Sequence, residues 1–430
     1  MKLLIENGRL VDPANKTDGI RNIAIADGKI FAIAEGGQPV PGFTPDRTID
    51  ADGLVVAPGL VDLAARLREP GYEHKATLES EMQAAIAGGV TSLVCPPDTD
   101  PVLDEPGLVE MLKYRAAARN QAHVYPLGAL TVGLKGEKLT EMAELTDAGC
   151  VGFSHANEPI PDTEVLLRAL QYANSFQYCS WLQPEDPFLA KNGMAHSGRV
   201  AAGLGLIGIP SIAETISLHA IFELMRVTGA RVHLCRLSTA KGIELVRQAK
   251  KEGLPVTCDV GIHHLHLTED DIDYFDSNAR LTPPLRSEAD RDAITQGLLD
   301  GTIDAICSDH TPVDDDEKLL PFGEASPGAT GLELLLPLTL KWAMEHCDSS
   351  DMLSQAIARI TAEPARILKL PCGRINVGEA ADICIFDPSA RWTVSASELA
   401  SQGKHTPFLG KEIPGRVRMT IIGGRIAYER

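Results

Sequence analysis

From about residue 54 onward, short apolar runs alternate with longer segments whose apolar residues recur every three or four positions. That alternation predicts strands and helices in turn around a parallel sheet. The runs are Leu54-Val55-Val56, Ser92-Leu93-Val94-Cys95, Val124-Tyr125-Pro126-Leu127, Val151-Gly152-Phe153, Tyr178-Cys179-Ser180-Trp181-Leu182, Val232-His233-Leu234-Cys235, Val256-Thr257-Cys258 and Ala305-Ile306-Cys307. Eight of them predict an α/β fold of the TIM type, a (β/α)8 barrel over residues 53–370. Segments such as Leu78 to Gly88, Glu105 to Arg119 and Ala240 to Glu252 supply the helices between them. Outside the barrel the pattern changes to strands and tight turns, with Asn7-Gly8, Asp27-Gly28 and Gly423-Gly424 as punctuation. Neither end has enough strands to bury a face alone, so residues 1–52 and 371–430 are read as the two parts of one small composite β domain.

Composition narrows the class of function. The chain has 430 residues, 44% hydrophobic and 23% charged, which is ordinary for a folded globular protein. With 59 acidic and 40 basic residues its net charge is −19, and a surface that negative repels nucleic acid and anionic lipid. No apolar run approaches the roughly 18 residues of a membrane span, so a cytoplasmic location is expected. The nine cysteines are odd in number and none forms Cys-x-x-Cys; most fall in apolar runs, including Cys95 and Cys307, and read as reduced core thiols.

One stretch carries chemistry. Ala57-Pro58-Gly59-Leu60-Val61-Asp62-Leu63-Ala64-Ala65-Arg66-Leu67-Arg68-Glu69-Pro70-Gly71 resembles the first barrel strand of a dihydroorotase of the amidohydrolase superfamily. Cys95-Pro96-Pro97-Asp98-Thr99, His263-His264-Leu265, Pro283-Pro284-Leu285-Arg286, Ser308-Asp309-His310-Thr311-Pro312, Pro327-Gly328-Ala329-Thr330-Gly331 and Lys404-His405-Thr406-Pro407-Phe408 extend the similarity over nearly the whole chain. The resemblance implies two zinc ions held by H-x-H on the first strand, a carboxylated lysine on the fourth, a histidine each on the fifth and sixth, and an aspartate on the eighth. At those positions this chain has Ala64 and Arg66, Ser154, Gln183, Arg236 and Asp309. A methyl group cannot ligate and a guanidinium brings positive charge, so only Asp309 keeps a ligand's chemistry. Without metal nothing lowers the pKa of an attacking water, and no cofactor, metal or hydrolase activity is expected. The reading is of a pseudoenzyme resembling the non-catalytic dihydroorotase-like chains that accompany aspartate carbamoyltransferase in pyrimidine synthesis, with that enzyme's catalytic chain as partner in a hetero-oligomer. Arg68 matches the residue that would grip the substrate carboxylate, either as a relic of that role or as an ion-pair partner of Glu69. The family's asparagines are Asp98 and Thr282 here and a histidine is Val313; a carboxylate at position 98 would repel an anionic substrate. Asp309 is expected to pair with Arg66, Arg236 or both, bidentately in the best case.

Two other classes of function stay open. One is a cyclic-amide hydrolase with a rebuilt single-metal site, in which Asp309 joins His263-His264-Leu265-His266, where residues 264 and 266 would share a face if extended. The other is a metabolite-binding sensor built on Arg68 and the leftover pocket. His155 and His310, each one step past a ligand position, should point away from the barrel axis. The run Asp314-Asp315-Asp316-Glu317 reads as a solvated loop, and Gly203-Leu204-Gly205-Leu206-Ile207-Gly208 lacks the spacing and preceding strand of a dinucleotide site.

Overall fold

A computed structural model describes residues 1–119, 121–348 and 350–430. Strands from both ends of the chain interleave in one eight-stranded sheet. Its order is Arg425–Glu429, Glu412–Ile422, Ile383–Thr393, Val55–Pro58, Leu3–Asp12, Thr17–Ala26 and Lys29–Glu35, with Arg47–Asp50 paired to Leu3–Asp12. Alternate apolar residues of these strands, among them Leu3, Ile5, Ile23, Ile25, Ile383, Ile385 and Ile421, form a core of their own. Val55–Pro58 belongs to this sheet, where Val56 opposes Ile385 and Leu10, so the run Leu54-Val55-Val56 is not the first barrel strand. The run is buried on both faces, as a barrel strand would be, and the pattern alone does not tell one sheet from the other. The chain passes from sheet to barrel at Gly59, where a Cβ would lie 2.1 Å from Thr91 Oγ1.

The first barrel strand is Leu60–Asp62, followed by Val90–Cys95 and His123–Pro126. The circle continues through Gly128–Ala129, Phe153–Ser154, Cys179–Leu182, Arg231–Leu234, Val256–Gly261 and Ala305–Cys307, all paired in parallel. It closes where His310 N donates to Ala64 O at 3.0 Å and Arg66 N to His310 O at 2.9 Å. At the same seam the fully buried Asp62 accepts from Ser308 N at 2.8 Å and from its hydroxyl.

Two buried polar networks fix the loops at the strands' C-terminal ends, where barrel chemistry is placed. In the first, Glu214 on helix Ile212–Thr228 accepts from Ser238 N and Oγ at 2.9 and 2.7 Å and from Thr239 N and Oγ1 at 3.1 and 2.5 Å. Arg286 joins it, donating to Ser238 Oγ at 3.1 Å and Ile209 O at 2.7 Å. In the second, Glu81 on helix Leu78–Ala87 lies 2.6 Å from His310 Nε2 and accepts from Ser401 Oγ and Gln402 N. Gly331 N donates to His310 Nδ1 at 3.0 Å, which makes Nε2 the protonated nitrogen of a neutral ring. The second network binds the barrel to the 399–411 segment of the β domain.

Candidate functional site: the centre of the barrel mouth

Four of the six positions at which the sequence departs from or keeps a metal ligand converge here. Arg66 is 4% exposed, and all three of its guanidinium nitrogens are used. Nε donates to Asp98 Oδ2 at 2.7 Å, Nη1 to Thr311 Oγ1 at 3.0 Å and Nη2 to Asn157 Oδ1 at 2.9 Å. Arg236, 5% exposed, reaches the same Asn157 Oδ1 with Nη2 at 2.6 Å and also donates to Gln183 Oε1. Its main-chain N–H is held by Asp259 Oδ1 at 2.6 Å, and Asp259 is anchored in turn by His233 Nε2 at 3.0 Å. Ala64 contributes only a buried methyl, and Ser154 turns its hydroxyl to its own backbone, accepting from Ala156 N at 3.0 Å.

Asp309 lies 3.4 Å from Arg236 Nε and 3.9 Å from Arg66 Nη1, within ion-pair range of both. The contact is not the bidentate pair expected: Asp309 Oδ1 and Arg236 Nε are buried without any hydrogen bond. Burial therefore outweighs the attraction of Arg236 and Arg66, and the Asp309 carboxyl is pushed up to about 6. Burial works against the Arg236 charge as well, but Asp309 and neighbouring groups raise its pKa above the ordinary arginine value. Asp98 behaves differently: burial pushes it up, yet the charge and hydrogen bond of Arg66 hold it below the usual carboxylate range. The carboxylate read as a repellent for an anionic substrate is the main anchor of Arg66. Arg68, Arg236 and Asp309 are all left-handed, with φ of 62°, 53° and 48°, a backbone cost of order 1–3 kcal/mol each that the surrounding structure sustains.

The remaining residues singled out by sequence do not join this centre. Arg68 donates through Nε to Pro312 O at 2.9 Å, and burial together with the Arg66 charge lowers its pKa to about 10. It does not pair with Glu69, which binds Arg115 at 2.7 Å and caps helix Leu78–Ala87 through Leu78 N. His155 faces Thr131 Oγ1 and Glu158 O, and His310 faces Glu81, so both point away. His263-His264-Leu265-His266 is not extended: Ile262–Leu265 is a 3-10 turn, which sends the rings apart. His263 stacks on Phe408, His264 Nε2 meets Pro284 O at 3.2 Å and His266 Nε2 meets Leu338 O at 2.9 Å. The acidic run forms a short helix, Asp315–Lys318, capped by Asp314. His74, Asp314 and Glu317 bring ligand atoms within 4.8 Å of one another, but Lys75 Nζ already sits 2.8 Å from Glu317. Cys95 and Cys307 are buried with thiol pKa values pushed up by burial, to about 12 for Cys95, as for packed and unreactive groups.

The donor set does not fit two zinc ions. The centre offers the Asp309 carboxylate, a second carboxylate from Asp98, two amide oxygens from Asn157 and Gln183 that are already taken by guanidinium, and two permanent cations where ligands would stand. A single ion fares no better: Asp309 and the unpartnered His264 Nδ1 would have to hold it beside Arg236 Nε, 3.4 Å from the carboxylate. Asn157, Asp98 and Thr311, the residues that seat the arginines, were not predicted in that role. The signal available for Asp98 was that two departures from the family pattern, Arg66 and Asp98, carry opposite charge at neighbouring strand ends.

Residues 53–242 match the family model for dihydro-orotase-like proteins and residues 213–428 that for the amidohydrolase family. The chain is 44% identical to a dihydroorotase-like protein of Pseudomonas aeruginosa, with all of both chains covered. It is 40% identical to a dihydroorotase of Geobacter sp. (strain M21), again over the full length of both. Among solved structures it resembles the L-hydantoinase (dihydropyrimidinase) from Arthrobacter aurescens, with a TM-score of 0.87 and 25% identity over 99% of this chain and 96% of that one. Full-length similarity on the same barrel and β domain makes this chain a member of the dihydroorotase-like family of amidohydrolases.

Proposed function

We propose that the chain is a catalytically silent member of this family, serving in the cytoplasm as a non-catalytic structural subunit of aspartate carbamoyltransferase in de novo pyrimidine synthesis. The observation that carries the reading is the seating of Arg66 and Arg236. Both guanidiniums are buried at former ligand positions, and both are hydrogen-bonded to the same Asn157 oxygen. Such a centre fills the space of a metal pair with fixed positive charge and activates no water. The loops around it are meanwhile kept in place by well-satisfied buried networks. Most substitutions destabilise a fold and only selection removes them, so a retained frame around a lost centre supports a role carried by the body of the protein. The partner follows from resemblance to non-catalytic chains of this family, and a symmetric catalytic trimer has faces that a second subunit can bridge.

The test is co-expression with the carbamoyltransferase catalytic chain, followed by size-exclusion chromatography with light scattering. A single hetero-oligomeric peak carrying transferase activity is expected. Separate elution at micromolar concentration, with full activity in the transferase peak alone, overturns the reading.

A further inference from the structure

A pocket of about 410 Å³ lies at the end of the barrel away from the mouth, where three elements meet. They are the C-terminal half of helix Pro106–Arg119, the beginning of the third strand, His123–Pro126, and the turn of the β domain that joins Glu412–Ile422 to Arg425–Glu429. The pocket is thus a cleft between barrel and β domain, and its volume suits a small organic molecule. Ala116, Ala122, Val124 and Ile422, all buried, give it an apolar lining.

The charges around it are of one sign. Among the described residues no carboxylate lines the pocket, although the chain carries a net charge of −19. Lys113 and Arg425 do line it, and among the described residues neither has an ion pair or a side-chain hydrogen bond. The ammonium of Lys113 lies beside Gly149, with no acid to hold it there. On the same helix Arg115 and Arg119 are paired, with Glu69 and Glu79 at 2.7 Å each. Asp382 is committed to the walls themselves: His123 Nε2 lies 3.0 Å from its Oδ2, and Gly423 N donates to its Oδ1 at 2.7 Å, which ties the strand to the turn. Gln121, also in the lining, donates through Nε2 to Gln83 Oε1 at 3.0 Å and keeps its own Oε1 buried without a partner. A buried acceptor left open is a cost to the fold that an N–H or O–H of a ligand removes.

We propose that this pocket binds a small, flat organic anion, with its carboxylate or phosphate head held by Lys113 and Arg425, an N–H or O–H of its body on Gln121 Oε1, and the body itself against Ala116, Val124 and Ile422. Such a ligand bridges barrel and β domain and neutralises cations that the chain's own carboxylates leave open. The site is separate from the barrel mouth and stands or falls independently of the scaffold reading. Isothermal titration of the purified full-length chain with indole-2-carboxylate and with 3-indoxyl phosphate tests it and separates a carboxylate head from a phosphate one. At least one of the two should bind at a single site per chain and raise the unfolding midpoint, and uncharged indole should bind about tenfold more weakly or worse. Lys113→Gln combined with Arg425→Gln should raise Kd about tenfold or more, as loss of charge-assisted contacts does, and Lys113→Arg with Arg425→Lys should keep the binding. Gln121→Leu should weaken it too. Unfolding midpoints of the unliganded variants equal to wild type show that they report on binding. No saturable binding of either anion up to millimolar concentration overturns the site, as does equal affinity for indole or unchanged affinity in the Lys113→Gln, Arg425→Gln pair; unchanged affinity in Gln121→Leu overturns the role of its oxygen.

Discussion

Around Glu214 every oxygen is satisfied: four hydrogen bonds come from Ser238 and Thr239, and Arg286 lies in the same cluster. At the centre of the mouth, Asp309 Oδ1, Arg236 Nε and His264 Nδ1 are buried with no partner. Both regions are polar, both lie at the ends of the same strands, and both would be expensive to leave unpaired. The difference separates a part of the fold whose polar groups are matched for stability from a part whose polar groups are not. The frame is tuned group by group, whereas the centre holds charges that approximately cancel without fitting one another.

The largest expected effect comes from breaking the frame. Glu214→Ala removes all four bonds, leaves the buried Ser238 and Thr239 donors without their acceptor and takes away a negative charge near the buried Arg286, and should cost about 3–5 kcal/mol in urea unfolding. An effect below about 1 kcal/mol would mean that the frame is no better built than the centre.

The centre should reveal its mismatch through pH. Asp309 titrates near 6 in the folded chain and near 4 when unfolded, so between those values the folded state holds the extra proton. Stability from this group is full below about pH 4 and is lost as pH rises through 6. Relative to wild type, Asp309→Asn should therefore gain up to about 2–3 kcal/mol between pH 4 and 7, in paired denaturation series. A stability difference independent of pH would show that the arginines satisfy Asp309 after all.

How much of this was readable beforehand varies with the kind of signal. The barrel followed from runs and helical periods, and the meeting of Arg66, Arg236 and Asp309 followed from their equivalent places at strand ends. Periodicity does not say which sheet a doubly buried strand joins, and Val55–Pro58 went to the β domain. Nor does it show local turns: the 3-10 turn at Ile262–Leu265 separates rings that an extended chain would align. Asn157, three residues beyond Ser154 with no pattern of its own, bridges both arginines through a left-handed turn at Ala156. In the sequence Asp98 reads as a charge that repels an anionic substrate; in the fold the guanidinium of Arg66 stands against it, and the charge serves as an anchor.

That pair sets the smallest of these effects. A double-mutant cycle on Arg66→Met and Asp98→Asn should give a coupling of about 1–2 kcal/mol, typical of a charge-assisted bond that is partly open to solvent. Coupling near zero would remove Asp98 as the anchor and return it to an incidental surface charge.

The measurement closest to the central claim is elemental analysis of zinc on the purified full-length chain, with dihydroorotase turnover assayed on the same sample. The account predicts far less than one zinc per chain and no turnover, even after Ala64→His and Arg66→His restore the first-strand pair, because Ser154, Gln183 and Arg236 still stand at the other ligand positions. Two zinc ions per wild-type chain, with turnover that disappears on chelation, would contradict it.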